Sequence, residues 1–275
     1  MLKDITLGQY FPGNSILHRL DPRMKILLML AFVILVFFAV DLPSFLYLSI
    51  LVVVMTALSR ISLKVILQGL KPVVFISVFT AVINLFWTTG TEPLFTLGFI
   101  SVYPEGVWRA LFMIIRILSL VMGTSILLTY TTSPMDLTDA LESLLSPLKR
   151  LRVPVHEFAM MMSLALRFVP TLIEETEKII NAQKARGVDF ETGSLLRRAK
   201  ALVPILIPLF VSAFSRATDL AVAMECRCYT GGEGRTRLKV MRLSLSDVIT
   251  TLILLVLFSG IVFCGFLPFD FGGRL

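Results

Sequence analysis

Two arginines carry the sharpest chemical signal in this sequence. Arg186 stands in the triplet Ala185-Arg186-Gly187 and Arg227 in Cys226-Arg227-Cys228. Small neighbours let a partner's backbone come close and leave the guanidinium as the reaching group. A guanidinium makes forked, bidentate contacts to carboxylates. A cation at a helix C-terminus also complements the helix dipole, and a single triplet would be read that way. Two triplets, each ending a long amphipathic segment, favour docking onto a partner.

Other chemistry is sparse. Gly231-Gly232-Glu233-Gly234-Arg235 lacks the Gly-Lys-Ser/Thr ending of a phosphate-cradling loop and reads as a flexible helix stop. If ATP is used, another chain hydrolyses it. Cys226-x-Cys228 has no second ligand pair, and the two histidines, His18 and His156, lie far off in sequence, so no metal site is expected. There is no nucleophile elbow, no paired His-Glu-x-x-His and no carboxylate dyad at useful spacing. Three cysteines cannot make a disulfide framework and are expected as free thiols. Met160-Met161-Met162 reads equally as core packing or as an adaptable docking surface. Arg116 falls inside an apolar run, where it either pairs within the helix bundle, precedes a span that starts later, or serves transport. Asn84 reads as an interhelical hydrogen bonder.

The elements that position these residues belong to a membrane protein. Of 275 residues, 56% are hydrophobic and 16% charged, with a mean hydropathy of +0.85. Soluble domains carry about 25% charged residues. Apolar runs recur at roughly Ile26–Val40, Phe45–Leu58, Pro72–Trp87, Val107–Tyr130 and Val248–Phe266. That makes about five spans, with Asp41-Leu42-Pro43 and Ala201–Phe214 the places where the count could change. The opening Met1-Leu2-Lys3 lacks the basic lead and apolar run of a signal peptide. Residues 88–105 hold Gly90, Pro93, Gly98 and Pro104 but no Lys or Arg, and predict an outside loop. Of 26 Lys and Arg, only Arg109, Arg116 and Arg274 fall outside the segments this topology places in the cytoplasm. The net charge of +7 is then a topology signal and not a nucleic-acid signal.

The stretch from Pro154 to Cys228 is too polar to cross a bilayer unaided and too apolar to sit free in water. Ahead of it, Ser133-Pro134-Met135-Asp136 predicts a capped helix start. Leu137, Leu141, Leu144, Leu145 and Leu148 follow on one face, and Pro147 and Pro154 end the segment. The first arm, Val155 to Arg186, passes Pro170 and carries an apolar stripe of Leu172, Ile173, Ile179 and Ile180. Thr192-Gly193-Ser194 links it to a second arm, from about Leu195 to Cys228, with a stripe of Phe210, Phe214, Ala217, Ala221 and Met224. Arms of this length reach on the order of 45–50 Å. A basic run, Arg235, Arg237, Lys239 and Arg242, follows the second.

At these residues the chain resembles the transmembrane T component of energy-coupling factor transporters. The family carries two Ala-Arg-Gly-like triplets. The first is matched in Gln183-Lys184-Ala185-Arg186-Gly187. The second lies in Ala223-Met224-Glu225-Cys226-Arg227-Cys228-Tyr229, with cysteines where the family pattern has Ala and Gly. His18-Arg19-Leu20-Asp21-Pro22-Arg23-x-Lys25 and Leu166-Arg167-Phe168-Val169-Pro170 add to the likeness. The resemblance implies a non-catalytic scaffold that binds no cofactor itself. Two separate ATP-binding-cassette ATPases, which bind the ATP, would each receive one arginine tip. A membrane-embedded substrate-binding S component would sit on the apolar faces of the arms, with Met160 to Met162 among its contacts. Uptake of vitamins, or of cobalt or nickel, would follow.

The expected fold is an all-α polytopic membrane protein. Residues 1–130 form an N-terminal membrane domain entered from the cytoplasm, 131–245 a cytoplasmic coupling domain, and 246–275 a last span and tail. A stand-alone secondary transporter or channel is the alternative, resting on Arg116 and Asn84 alone. An intramembrane enzyme would need a catalytic set that the sequence does not offer.

Overall fold

Proline marks where several helices begin. Pro22, Pro104 and Pro134 are the first residues of their helices, and Pro43 is the second of another. A fixed φ suits the first turn, and the missing N–H is one that a helix start leaves unpaired anyway. The computed structural model describes residues 10–88, 95–97, 100–188, 190, 194–232 and 243–265. In chain order the elements are α1 (Ile16–Arg19), α2 (Pro22–Phe37), α3 (Leu42–Ser59), α4 (Leu63–Trp87), β1 (Phe95–Leu97), β2 (Ile100–Val102), α5 (Pro104–Thr124), α6 (Pro134–Leu144), α7 (Val155–Ala185), α8 (Leu195–Cys226) and α9 (Leu245–Gly265). A π-helical turn, Ser125–Thr129, prolongs α5, and a 3-10 turn, Ser146–Leu151, follows α6. Among the described residues the regular structure is helical apart from β1 and β2, a small antiparallel ribbon that pairs Phe95 with Val102. Lys3, Gly90, Pro93, Gly98, Thr192-Gly193, Arg235 to Arg242 and Arg274, on which the sequence reading drew, lie outside the described residues.

Packing divides the described chain into two compact units. One holds the residues between 10 and 137 together with 243–265, the other those between 138 and 232. In the first, α2 lies at the centre, with Phe32 and Val36 fully buried. The Phe32 ring sits 5.2 Å from that of Phe258 on α9. It also lies so close to Gly123 of α5 that a Cβ there would fall 2.2 Å from a ring carbon. Phe45 of α3 stacks on Phe112 of α5 at 4.6 Å. The Tyr47 hydroxyl donates to the Leu257 carbonyl at 2.8 Å, joining α3 to α9.

Among the described residues, five helical stretches are long and apolar enough to cross a bilayer: α3, α4, α5 with its π extension, Lys200–Cys226 of α8, and α9. The number agrees with the sequence reading, but the membership differs. The predicted span at Ile26–Val40 is α2, which ends at Phe37 after 16 residues, about 24 Å of helix. The second arm, read as cytoplasmic, carries a stretch of mean hydropathy 1.7. Its basic cluster, Arg197, Arg198 and Lys200, falls in the first turns and is followed by fifteen residues, 201–215, without a charge.

The open question about Arg116 has a structural answer. Its Nη2 donates to the Ala39 carbonyl at 2.5 Å, and its guanidinium lies 5.3 Å from the centre of the Phe45 ring. It therefore pairs within the bundle and serves the Ala39 carbonyl just past the end of α2. Asn84 of α4 donates to the Thr80 carbonyl at 2.9 Å and to the sulfur of Met113 on α5 at 3.2 Å.

The run from His18 to Lys25 folds as one staple. Ser15 caps α1, and the His18 ring lies between the Ser15 hydroxyl at 2.6 Å and the Phe11 carbonyl at 2.9 Å. Asp21 caps α2 by accepting from the Arg23 N–H at 2.9 Å. Lys25, 2% exposed, donates to the carbonyls of His18 and Thr131 and to the Thr132 hydroxyl at 3.2, 2.8 and 3.3 Å. Sequence reading gave Lys25 a topological charge and a place in a family-like run, but no structural role. A buried lysine holding three acceptors ties the start of α2 to the corner that leads into α6. That corner closes with the predicted cap: the Asp136 N–H donates to Ser133 Oγ at 3.1 Å, and the Ser133 hydroxyl donates to the Asp136 carboxylate at 2.8 Å.

Candidate functional site

The two arginine triplets adopt one backbone geometry. Arg186 and Arg227 are the residues that close α7 and α8. After α7, the Gly187 N–H donates to the Lys184 carbonyl at 2.9 Å and the Val188 N–H to the Gln183 carbonyl at 3.1 Å. After α8, the Cys228 N–H donates to Glu225 at 2.9 Å and the Tyr229 N–H to Met224 at 3.0 Å. Both are Schellman turns, which satisfy the last carbonyls of a helix and need a left-handed residue just past the end. Gly187 supplies it at φ +85°, and Cys228 at φ +55°. Each turn holds its arginine at the outermost point of a helix, beside small residues. Ala185, Arg186, Gly187, Cys226, Arg227 and Cys228 are all exposed. Among the described residues, neither guanidinium takes part in a side-chain hydrogen bond or ion pair.

The arms run antiparallel where they pack. Glu175 of α7 accepts from the Ser212 hydroxyl of α8 at 2.8 Å and forms an ion pair with Arg216. Ser212 and Arg216 hold the Glu175 carboxyl below the usual carboxylate range. Arg186 lies eleven residues past Glu175, and Arg227 eleven past Arg216. Each arm therefore extends about 16 Å from this clasp to its tip. Beyond the second tip the chain returns to the start of α7, where the His156 ring lies against Gly232 and its Nδ1 stands 3.0 Å from a Glu142 carboxylate oxygen. The tips thus fall at opposite ends of α7, whose 31 residues cover about 46 Å.

Between clasp and second tip the arms enclose an apolar groove of about 340 Å³. Met161, Leu164, Phe168 and Leu172 line it from α7; Ala217, Leu220, Ala221 and Met224 line it from α8. Of the methionine triplet, only Met161 faces the groove. Met162 is exposed and Met160 half-buried. The predicted stripe on the second arm is divided: Ala217, Ala221 and Met224 face α7, whereas Phe210 and Phe214 pair with each other, 4.6 Å apart, and are 65% and 60% exposed. Sequence reasoning missed Arg216 and Ser212. The available signal was a cation alone in an apolar arm, with an acid on the neighbouring arm to receive it.

A family described as cobalt transport protein (CbiQ) matches residues 13–238. The energy-coupling factor transporter transmembrane protein EcfT of Ruminiclostridium cellulolyticum is 50% identical over 262 residues, covering 95% of this chain and 97% of its own. The protein of the same name from Thermosediminibacter oceani is 51% identical over 247 residues, 90% and 92% of the two chains. That from Bacillus subtilis is 45% identical over 257 residues, 94% and 97%.

Proposed function

Because the chain belongs to the family of energy-coupling factor transporter transmembrane components, we propose that it is the scaffold through which two ATPase subunits move a substrate-binding subunit. It is a multi-pass membrane protein of a transport complex. In our reading each arginine tip seats in a groove of one ATP-binding-cassette subunit. ATP is bound and hydrolysed there, and the chain itself binds no cofactor and catalyses no reaction. The observation that carries this reading is the repetition: two helices of similar length end in the same turn, and each turn presents an exposed arginine with no partner inside the described chain.

Opening and closing of the ATPase pair would pull on the two tips. The Glu175–Arg216–Ser212 clasp fixes the arms at their crossing, so displacement of a tip becomes rotation of one arm against the other. The apolar groove and the exposed side chains around it, Met161, Met162, Phe210 and Phe214 among them, suit an S component bound within the membrane. Met160 to Met162 supply the adaptable part of that surface. The N-terminus and the tips face the cytoplasm in this account, a placement that the lysine and arginine distribution supports. Vitamins, or cobalt or nickel, are the substrate classes, selected by the S component.

Reconstitution separates this reading from a stand-alone transporter. The purified chain alone in liposomes is expected to give no substrate flux, whereas addition of both ATPases and an S component gives ATP-dependent uptake. Flux from the chain alone would overturn the scaffold reading.

A further inference from the structure

Two arginines far from the arms in sequence face one pocket at the rim of the membrane. Arg60 directly follows α3, whose Leu42–Ser59 length is apolar enough to cross a bilayer. It therefore stands at the depth where hydrocarbon gives way to headgroups. Arg19 closes the single turn of α1. Both line a cavity of about 580 Å³, with Asn14 and Ser15 on its polar side and Val54 and Leu58 on its apolar side. Both arginines are exposed, and among the described residues neither has a side-chain hydrogen bond or ion pair.

The apolar side continues out of the pocket. Leu46, Ile50, Val54 and Leu58 fall four residues apart on α3 and are 58%, 62%, 41% and 38% exposed. They form a single stripe down the helix, from the arginines into the depth of the bilayer. The polar side is held in place. His18 is locked between Ser15 and Phe11, and its carbonyl accepts from buried Lys25, so the turn that carries Arg19 cannot drift. Arg60 adopts φ +55°, a left-handed conformation that favours glycine, yet the position carries a long cation.

The geometry points to a binding site for one anionic phospholipid. Its phosphate lies between Arg19 and Arg60, its headgroup hydroxyls face Asn14, and an acyl chain follows the stripe from Leu58 to Leu46. A soluble phosphate ester would satisfy the arginines but leave the stripe uncovered. A zwitterionic lipid would cover the stripe but bring a cation to a doubly cationic site. The site lies on the unit that does not carry the arms, and it stands whether or not the tips dock.

Native mass spectrometry of the full chain in mild detergent tests this, with phosphatidylglycerol and phosphatidylcholine of matched chains as probes. The first phosphatidylglycerol is expected to bind roughly thirtyfold more tightly than phosphatidylcholine, as two interfacial arginines imply. Arg19→Gln/Arg60→Gln should bring the two lipids to parity. Ala57→Trp, which keeps both arginines but fills the cavity that Ala57 also lines, should abolish the preference too. Should the double variant fail to fold, Ala57→Trp and Arg60→Gln alone decide. Equal affinities in wild type, or variants that keep the preference, would overturn the proposal. Displacement of the lipid by equimolar glycerol 3-phosphate would assign the arginines to a soluble phosphate ester and overturn it as well.

Discussion

Gly187 and Cys228 occupy the same place in two copies of one turn, and only the first is the residue that the turn prefers. A Cβ at Gly187 meets nothing within 4 Å, so Gly187→Ala is charged with backbone strain alone, about 1 kcal/mol. Cys228→Gly should recover a similar amount. Hydrogen exchange at the Val188 and Tyr229 amides reads both, with faster exchange expected at Val188 in the first variant and slower exchange at Tyr229 in the second. Lys25 offers a sharper test. Removal of its ammonium in Lys25→Met leaves two carbonyls and a hydroxyl buried without their donor, at a cost of about 3 kcal/mol. Burial pulls the Lys25 pKa down to about 8 from 10.5. Between those values the unfolded chain holds a proton that the folded chain has released, so this group adds stability as pH rises through the window. The stability difference between wild type and Lys25→Met should therefore widen from pH 8 to 10.5. A difference that narrows would contradict the burial.

At the scale of elements, the clasp between α7 and α8 is the joint on which the account depends. Glu175 has a lowered pKa, so its hold is complete above the unfolded carboxylate value of 4.5 and is lost as pH falls through the lower folded value. Glu175→Gln should loosen the arms at neutral pH as acid does in wild type, seen as a broader spin-label distance distribution between Ser163 and Val222. In the other unit, Gly123→Leu would drive a side chain into the Phe32 ring and destabilise the bundle by 1–3 kcal/mol or more, by the usual cost of about that size for overpacking. Much at this scale was legible in sequence: both arms, their arginine ends, the Ser133 cap and most apolar runs. Period and capping are local properties, and a single strand of sequence displays them. The partner of Arg116, the Thr131 and Thr132 acceptors of Lys25 and the Glu175–Arg216 pair were not legible, since each joins residues tens of positions apart. The division of the second arm's stripe between groove and outer face was hidden for a related reason. Hydrophobicity alone does not say whether an apolar face meets a helix, a lipid or another chain.

For the whole molecule, composition already excludes a soluble domain, and the matched family and relatives make it a transport component. The unit formed by α2, α3, α5 and α9 interlocks through buried aromatic rings, whereas only 6% of the span-length stretch of α8 is buried within the chain. An apolar helix so little covered by its own chain is suited to lipid and to a partner in the membrane. The charge excess concentrates in segments read as cytoplasmic, where two exposed arginines wait at the ends of the arms. Co-purification from native membranes, for wild type and for Arg186→Glu/Arg227→Glu, tests the central claim most directly. The account predicts that wild type brings down two ATPase subunits and a small membrane protein, and that the double variant, still folded and membrane-inserted, loses the ATPases. Full retention of the ATPases by the double variant would contradict it and reduce both arginines to helix caps.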